Sequence, residues 1–135
     1  MKASRNTTAK TTILEIIKNA AVALSHTEIQ ALSQNICDRV TIYRVLDRLV
    51  SEDVIHKIVN HDGTIKYASC HHEHENEHDH NVKHSHTHNH IHFSCTKCLA
   101  VTCLDDVKPV FSLPDNYLVH DFNFTLSGLC PTCSL

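Results

Sequence analysis

The chain has 135 residues and a formal net charge of -3, a length that fits one ordinary domain or two small ones and excludes a large enzyme core. Only 5% of the residues are aromatic and tryptophan is absent, whereas 14 histidines and 7 cysteines are far above ordinary usage. Imidazole and thiolate are ligands that divalent transition metals prefer, so the composition points to metal binding. The charge is uneven: nine basic and seven acidic residues precede His71, against three and eight from there on. This asymmetry is typical of a nucleic-acid module joined to a module of another kind.

The sequence predicts neither a membrane span nor a signal peptide. It contains no run of about 18 apolar residues, and Met1 to Thr12 is polar rather than a basic tail followed by an apolar run. We therefore expect a cytoplasmic protein without membrane contact. In that reducing compartment, an odd number of cysteines that includes two Cys-x-x-Cys pairs favours metal thiolates over disulfides.

Three helices are predicted in the first half. Apolar residues at helical spacing from Ile13 predict a first helix that follows a polar segment and ends near Ala23. Ser25 and Glu28 form a capping box that predicts the start of the second. Asp38 is placed to cap the third. The apolar stripe of the third helix consists of Ile42, Val45, Leu46, Leu49 and Val50.

A β-hairpin is predicted after the third helix. The runs 54–59 and 64–68 are rich in β-formers and flank a turn that we expect to centre on Asp62-Gly63. Three helices followed by a hairpin is the winged-helix order, in which the third helix enters the DNA major groove. The residues expected to contact DNA are Arg39, Thr41, Tyr43, Arg44 and Arg48 on the polar face of that helix and Lys57 on the wing.

The second half begins with a His-rich segment. Residues 71–88 contain eight histidines among polar residues and only one aliphatic side chain, a composition that cannot form a core and predicts a flexible loop. Strands are predicted from His90, over 100–104 and over 122–126. Prolines 109 and 114 predict an irregular or briefly helical segment between the last two strands.

Two Cys-x-x-Cys pairs predict a structural zinc site. Two-residue spacing lets both thiolates of a pair face one ion, so four thiolates close a tetrahedral site with no open position. The ligands are Cys95, Cys98, Cys130 and Cys133. The alternatives are a redox pair, which lacks its usual βαβ context here, and unbound buried thiols.

A second metal site is predicted where the two halves meet. His90 and His92 are expected on one face of a strand, because they are two residues apart. In the wing, a turn centred on Asp62-Gly63 pairs residues whose numbers sum to 125, which places His56 opposite Ser69 and within one position of Cys70. These four side chains offer three nitrogens and one sulfur, although the two strand histidines are also compatible with a purely structural role. Cys37 and Cys103 fit small buried hydrophobic residues. Cys103 is alternatively a ligand in a further site with a loop histidine.

Four segments of the chain, taken in order, resemble the ferric uptake regulator family. They are Val40 to Leu46, the Asp62-Gly63 wing with Tyr67, the His-x-His-x-x-Cys-x-x-Cys run at 90–98, and Gly128 to Cys133. The resemblance implies a homodimeric, metal-dependent repressor that binds a palindromic DNA operator. It implies an α+β fold with an N-terminal winged helix-turn-helix domain and a small C-terminal α/β dimerisation domain that carries the four-cysteine zinc. The corresponding boundaries are 1–70 for DNA binding, 71–89 for the His-rich loop and 90–135 for dimerisation and metal binding.

Within the family, the zinc uptake regulator branch is the most similar. Ala68, Ile91, Cys103 and Phe122 stand where iron regulators commonly have acidic or histidine ligands, whereas the positions of His56 and Cys70 match zinc-sensing ligands. The loss of oxygen ligands and the gain of a thiolate favour zinc as the sensed ion, with Fe²⁺ or Mn²⁺ as alternatives. The alternative functions are an iron- or peroxide-responsive regulator and a zinc storage protein or chaperone. We expect no enzymatic activity, because the sequence shows no nucleophile with a matching base.

Overall fold

The computed structural model describes residues 5–34, 36–60, 62–69, 91–120 and 123–135. In these ranges the chain forms α1 (Arg5–Asn19), β1 (Leu24–Ser25), α2 (His26–Leu32), α3 (Arg39–Ser51), β2 (Ile55–Val59), β3 (Ile65–Ser69), β4 (Ile91–Cys95), β5 (Val101–Leu104) and β6 (Thr125–Gly128). One sheet has the strand order β1-β3-β2 and the other β5-β4-β6. The predicted His-rich loop at 71–88 lies outside the described residues.

The first module is a three-helix bundle closed by a small sheet. Its core is formed by apolar side chains of all three helices together with Tyr67 of β3. Ser25 and Glu28 form the predicted capping box and Asp38 caps α3, as expected. The helix α3 ends in a Schellman motif, in which Val54 N–H donates to the Leu49 carbonyl and Asp53 has a φ of 57°.

The first helix differs from its predicted bounds at both ends. It begins at Arg5, inside the segment predicted to be a polar lead-in, and ends at Asn19 rather than near Ala23. Ala23 is instead extended, and its N–H donates to the Val101 carbonyl at 2.8 Å. The helix ends before Ala23 because Ala23 bonds to β5 and residues 24–25 pair with β3. The strand β1 is too short to leave a periodicity in the sequence.

The wing has a register that differs by one residue from the predicted one. Asn60 N–H donates to the Thr64 carbonyl, and Gly63, with a φ of 86°, donates back to Asn60. The left-handed glycine adds a residue to the turn, so paired numbers sum to 124 rather than 125. His56 therefore faces Ala68, not Ser69 as predicted.

The second module is a three-stranded sheet. The strand β4 pairs antiparallel with β5 and parallel with β6. The segment between β5 and β6 has turns but no helix among its described residues, in agreement with the irregular structure predicted around its two prolines. Apolar contacts join this module to the first, through a buried cluster of Ala23, Ile58, Ala68 and Val101. Within the described residues, no helix has the length and apolar character needed to cross a bilayer.

Candidate metal centre and nucleic-acid interface

Four cysteines meet at one end of the second sheet. Cys95 is the last residue of β4 and pairs with Gly128, the last residue of β6. Because parallel strands end at the same edge of a sheet, the turn after β4 and the turn after β6 lie side by side. The four sulfur atoms of Cys95, Cys98, Cys130 and Cys133 all lie within 4.8 Å of one another. The structure therefore brings together all four residues that the sequence predicted.

The geometry of this cluster fits a tetrahedral zinc ion. A Zn–S bond of about 2.3 Å places two sulfurs of a regular tetrahedron about 3.8 Å apart. The Cys98 and Cys130 sulfurs are separated by 3.9 Å. Backbone amides at Cys98 and Cys130 stabilise the thiolate and lower the pKa of Cys95 to about 6, whereas hydrogen bonding to the Cys130 sulfur raises the pKa of Cys133 to about 12. Metal binding would replace the remaining protons.

A second cluster contains His56, His92 and Cys103. His56 Nε2 lies 3.2 Å from the Cys103 sulfur, and the two imidazole centroids are 4.9 Å apart. One donor atom of each residue lies within 4.8 Å of the others. Both histidines are buried and Cys103 is partly buried. Two imidazoles and one thiol form a donor set that suits zinc better than a hard cation.

This second cluster joins the two modules. His56 belongs to β2 of the wing, whereas His92 and Cys103 are direct partners across β4 and β5. Opposite residues of an antiparallel pair project from the same face, so the second sheet presents one nitrogen and one sulfur to the wing histidine. The other two predicted ligands, Cys70 and His90, lie outside the described residues.

Cys103 is the ligand candidate that the sequence analysis did not select for this site. A signal for it existed, because the Cys-x-x-Cys turn separates two predicted strands. A hairpin about this turn pairs residues whose numbers sum to 195, and His92 with Cys103 is one such pair. Cysteine is generally buried, and this tendency of a single residue does not distinguish a packed thiol from a metal ligand.

The residues predicted to read DNA lie on the accessible side of α3. Arg39, Tyr43, Arg44 and Arg48 are exposed and Thr41 is partly exposed, while Lys57 is exposed on β2. The Arg39 guanidinium carbon is 5.8 Å from the centroid of the Tyr43 ring, a cation–π contact. That these side chains contact DNA stays a prediction.

His26 is a further residue of this surface. Its ring stacks on Tyr43 with centroids 3.9 Å apart and planes inclined by 22°. Its Nε2 also lies 3.2 Å from the Arg39 carbonyl oxygen. The first residue of α2 thus supports the aromatic side chain of α3, a contact that the sequence spacing did not reveal because the two residues belong to different helices.

A shallow basic depression extends this surface to α1. Its volume is about 250 Å³, and it is lined by Lys10, Thr41, Arg44, Val45 and Arg48. One carboxylate, Glu52, pairs with Lys10 at 2.6 Å and with Arg48 at 3.1 Å. These hydrogen bonds, led by that from Lys10, lower the pKa of Glu52. Lys10 is a cation of this surface that the sequence analysis did not single out, because it comes from another helix.

The chain is similar in structure to solved uptake and stress regulators. A zinc uptake regulator complexed with zinc and DNA has a TM-score of 0.64 at 19% identity, covering 93% of this chain and 81% of that one. The Helicobacter pylori ferric uptake regulator has a TM-score of 0.62 at 16% identity, covering 100% and 83%. The Campylobacter jejuni peroxide stress regulator has a TM-score of 0.60 at 17% identity, covering 96% and 91%. No family model and no curated protein matches the sequence. These likenesses confirm the predicted fold.

Proposed function

We propose that the chain is a metal-responsive, DNA-binding transcriptional repressor of the ferric uptake regulator family, with zinc as the sensed ion. The observation that carries this proposal is the cluster of His56, His92 and Cys103, which takes its donors from both modules. An ion bound there favours the arrangement in which the wing and the second sheet are in contact. A ligand that binds one arrangement better shifts the population toward it, so such an ion can control DNA binding.

In this proposal, the four cysteines hold a structural zinc. The site is closed, with no position for a substrate or water, which suits a structural role and does not suit catalysis. The sensing site consists of His56, His92 and Cys103, and Cys70 and His90 remain predicted ligands for its completion. The proposed domains keep the predicted bounds 1–70, 71–89 and 90–135, and the proposed location is the cytoplasm.

We further propose that the second module mediates homodimerisation. The segment 107–119 exposes several apolar side chains, and Val110 is 96% and Leu118 80% exposed. Exposed apolar patches mark contact surfaces, and a second copy of the chain presents an identical one. The apolar side chains concerned are Val107, Val110, Phe111, Leu113, Tyr117, Leu118 and Val119. A two-fold dimer would place two α3 helices on a palindromic operator.

DNA selection under controlled metal tests the function. Duplexes selected from a randomised pool by the zinc-loaded protein should share a palindrome, and their affinity should rise with free zinc well below the iron or manganese concentration needed for the same effect. Arg44→Ala should weaken binding, and Tyr43→Phe should do so to a smaller extent, while metal content and dimer mass stay unchanged. Selection of no common sequence, with a chain that still takes up zinc, would favour the storage alternative. A stronger response to iron would make the protein an iron regulator.

A further inference from the structure

Lys66 is a buried lysine at the contact between the two modules. It lies on β3, the middle strand of the first sheet, and its side chain is only 11% exposed. A lysine on a DNA-binding wing ordinarily reaches outward to phosphate. A buried ammonium group is costly unless it is paired, so the partners of Lys66 indicate what it does.

One partner belongs to the turn that carries the first two cysteines. The Lys66 Nζ donates to the Leu99 carbonyl at 3.3 Å. Leu99 directly follows Cys98 and has a φ of 64°, and its own N–H donates to the Cys95 carbonyl. The direction of the Leu99 carbonyl is thus fixed by the same turn that brings the two thiols together. A metal held by the cysteines would keep that carbonyl aimed at Lys66.

The other partner belongs to the start of α2. Glu28 Oε2 lies 3.8 Å from the Lys66 ammonium and accepts a hydrogen bond from Ser25 N–H at 2.7 Å. The pKa of Glu28 is lowered by that backbone hydrogen bond and also by the charge of Lys66. His26, which directly follows Ser25, stacks on Tyr43 of α3. Contacts therefore run without interruption from the cysteine turn to the helix proposed to read DNA.

We infer that Lys66 is a positioning residue that couples the four-cysteine site to the DNA-reading helix through the N-terminus of α2. This inference rests on the proposed function, because it assigns the four cysteines a second role as an input to DNA binding. Coupling is reciprocal: if metal at the cysteines favours DNA binding, DNA must favour retention of that metal by the same factor. A site that only stabilises the second module is also protected by DNA, through the folded dimer that binds it, but that protection does not depend on Lys66 or Glu28.

Cobalt(II) provides the readout, because its d–d absorption distinguishes a four-thiolate site from a mixed nitrogen and sulfur site. The 135-residue chain loaded with cobalt at both sites is titrated with chelator, with and without the selected duplex at a concentration that keeps the chain bound to DNA. We expect the duplex to reduce the equilibrium loss of tetrathiolate cobalt about fivefold, the lower end of typical allosteric coupling. Lys66→Met keeps an unbranched side chain as far as the ε position, removes the ammonium group and should reduce this protection. Lys57→Met removes the same charge from the exposed side of the neighbouring strand and should weaken DNA binding but leave the protection intact.

Glu28→Gln is a second variant, which tests the inference if Lys66→Met does not fold. Its side-chain amide keeps an oxygen that accepts the hydrogen bond from the Ser25 N–H. It removes the charge that faces Lys66 and should reduce the protection in the same direction. Unchanged protection in either folded variant would overturn the inference, as would DNA binding by the wild type without any protection of the cobalt. Absence of DNA binding by the wild type would refute the proposed function and the coupling together. These two failures are therefore distinguishable.

Discussion

Replacement of Cys103 by serine tests which thiolate completes the sensing site. Cys103 Sγ lies 3.2 Å from His56 Nε2, and Cys103 is the cross-strand partner of His92. Serine at this position removes the only sulfur among the described donors of that cluster. Zinc sites with four protein ligands have apparent binding free energies of about 10–16 kcal/mol, which is about 3 kcal/mol for each ligand. Since 1.4 kcal/mol corresponds to a factor of ten, Cys103→Ser should raise the free zinc needed for half-maximal DNA binding about 100-fold.

The assay is fluorescence anisotropy of a labelled selected duplex in zinc-buffered solution. Cys70→Ser is measured in parallel, because the sequence predicted Cys70 as the thiolate. If the zinc midpoint of DNA binding rises in both variants, the site has two sulfur ligands. If it rises in Cys70→Ser alone, the site has the ligand set predicted from the sequence. Cys37→Ala removes a thiol from the core of the first module and should leave the midpoint in place. A Cys103→Ser titration that superimposes on that of the wild type would refute the assignment of Cys103.

Four further outcomes are expected. Cys130→Ser should unfold the second module and abolish dimerisation, since a structural zinc supplies on the order of 10 kcal/mol; an intact dimer on size exclusion would contradict this. Leu99→Gly should raise the free energy of unfolding by about 1 kcal/mol, because glycine removes the steric cost of a left-handed backbone at a largely exposed residue. Thermal unfolding measures this, and a lower midpoint than that of the wild type would contradict it. Glu28→Gln should destabilise the protein at neutral pH, and the difference should vanish as the pH falls below 4.5, because a carboxyl with a lowered pKa stabilises the fold only while ionised; denaturant titrations at several pH values measure it. Glu52→Gln should tighten DNA binding at low salt, since its carboxylate neutralises two cations of the basic depression; unchanged affinity would mean that DNA does not reach them.

The sequence by itself determined most of the local structure. The stripe of α3, its Asp38 cap and the capping box at Ser25 are each signals within a single helix and its cap, and all three appear in the structure. The four-cysteine cluster was also predictable, because each pair is local and the two pairs offer a complete donor set. Such features depend on neighbours in the chain, so no knowledge of tertiary contacts was needed to find them.

Tertiary structure alone decided how the modules meet and which side chains share a site. The register of the wing is a local exception, because the left-handed glycine of its own turn places Ala68 rather than Ser69 opposite His56. Cys103 joins that histidine because a sheet in one module packs on a strand of the other, 47 residues away in sequence. Lys66 is likewise buried by a contact between modules rather than by any local pattern. Periodicity reports which face of an element is apolar, but the element that covers that face is set by packing between distant segments.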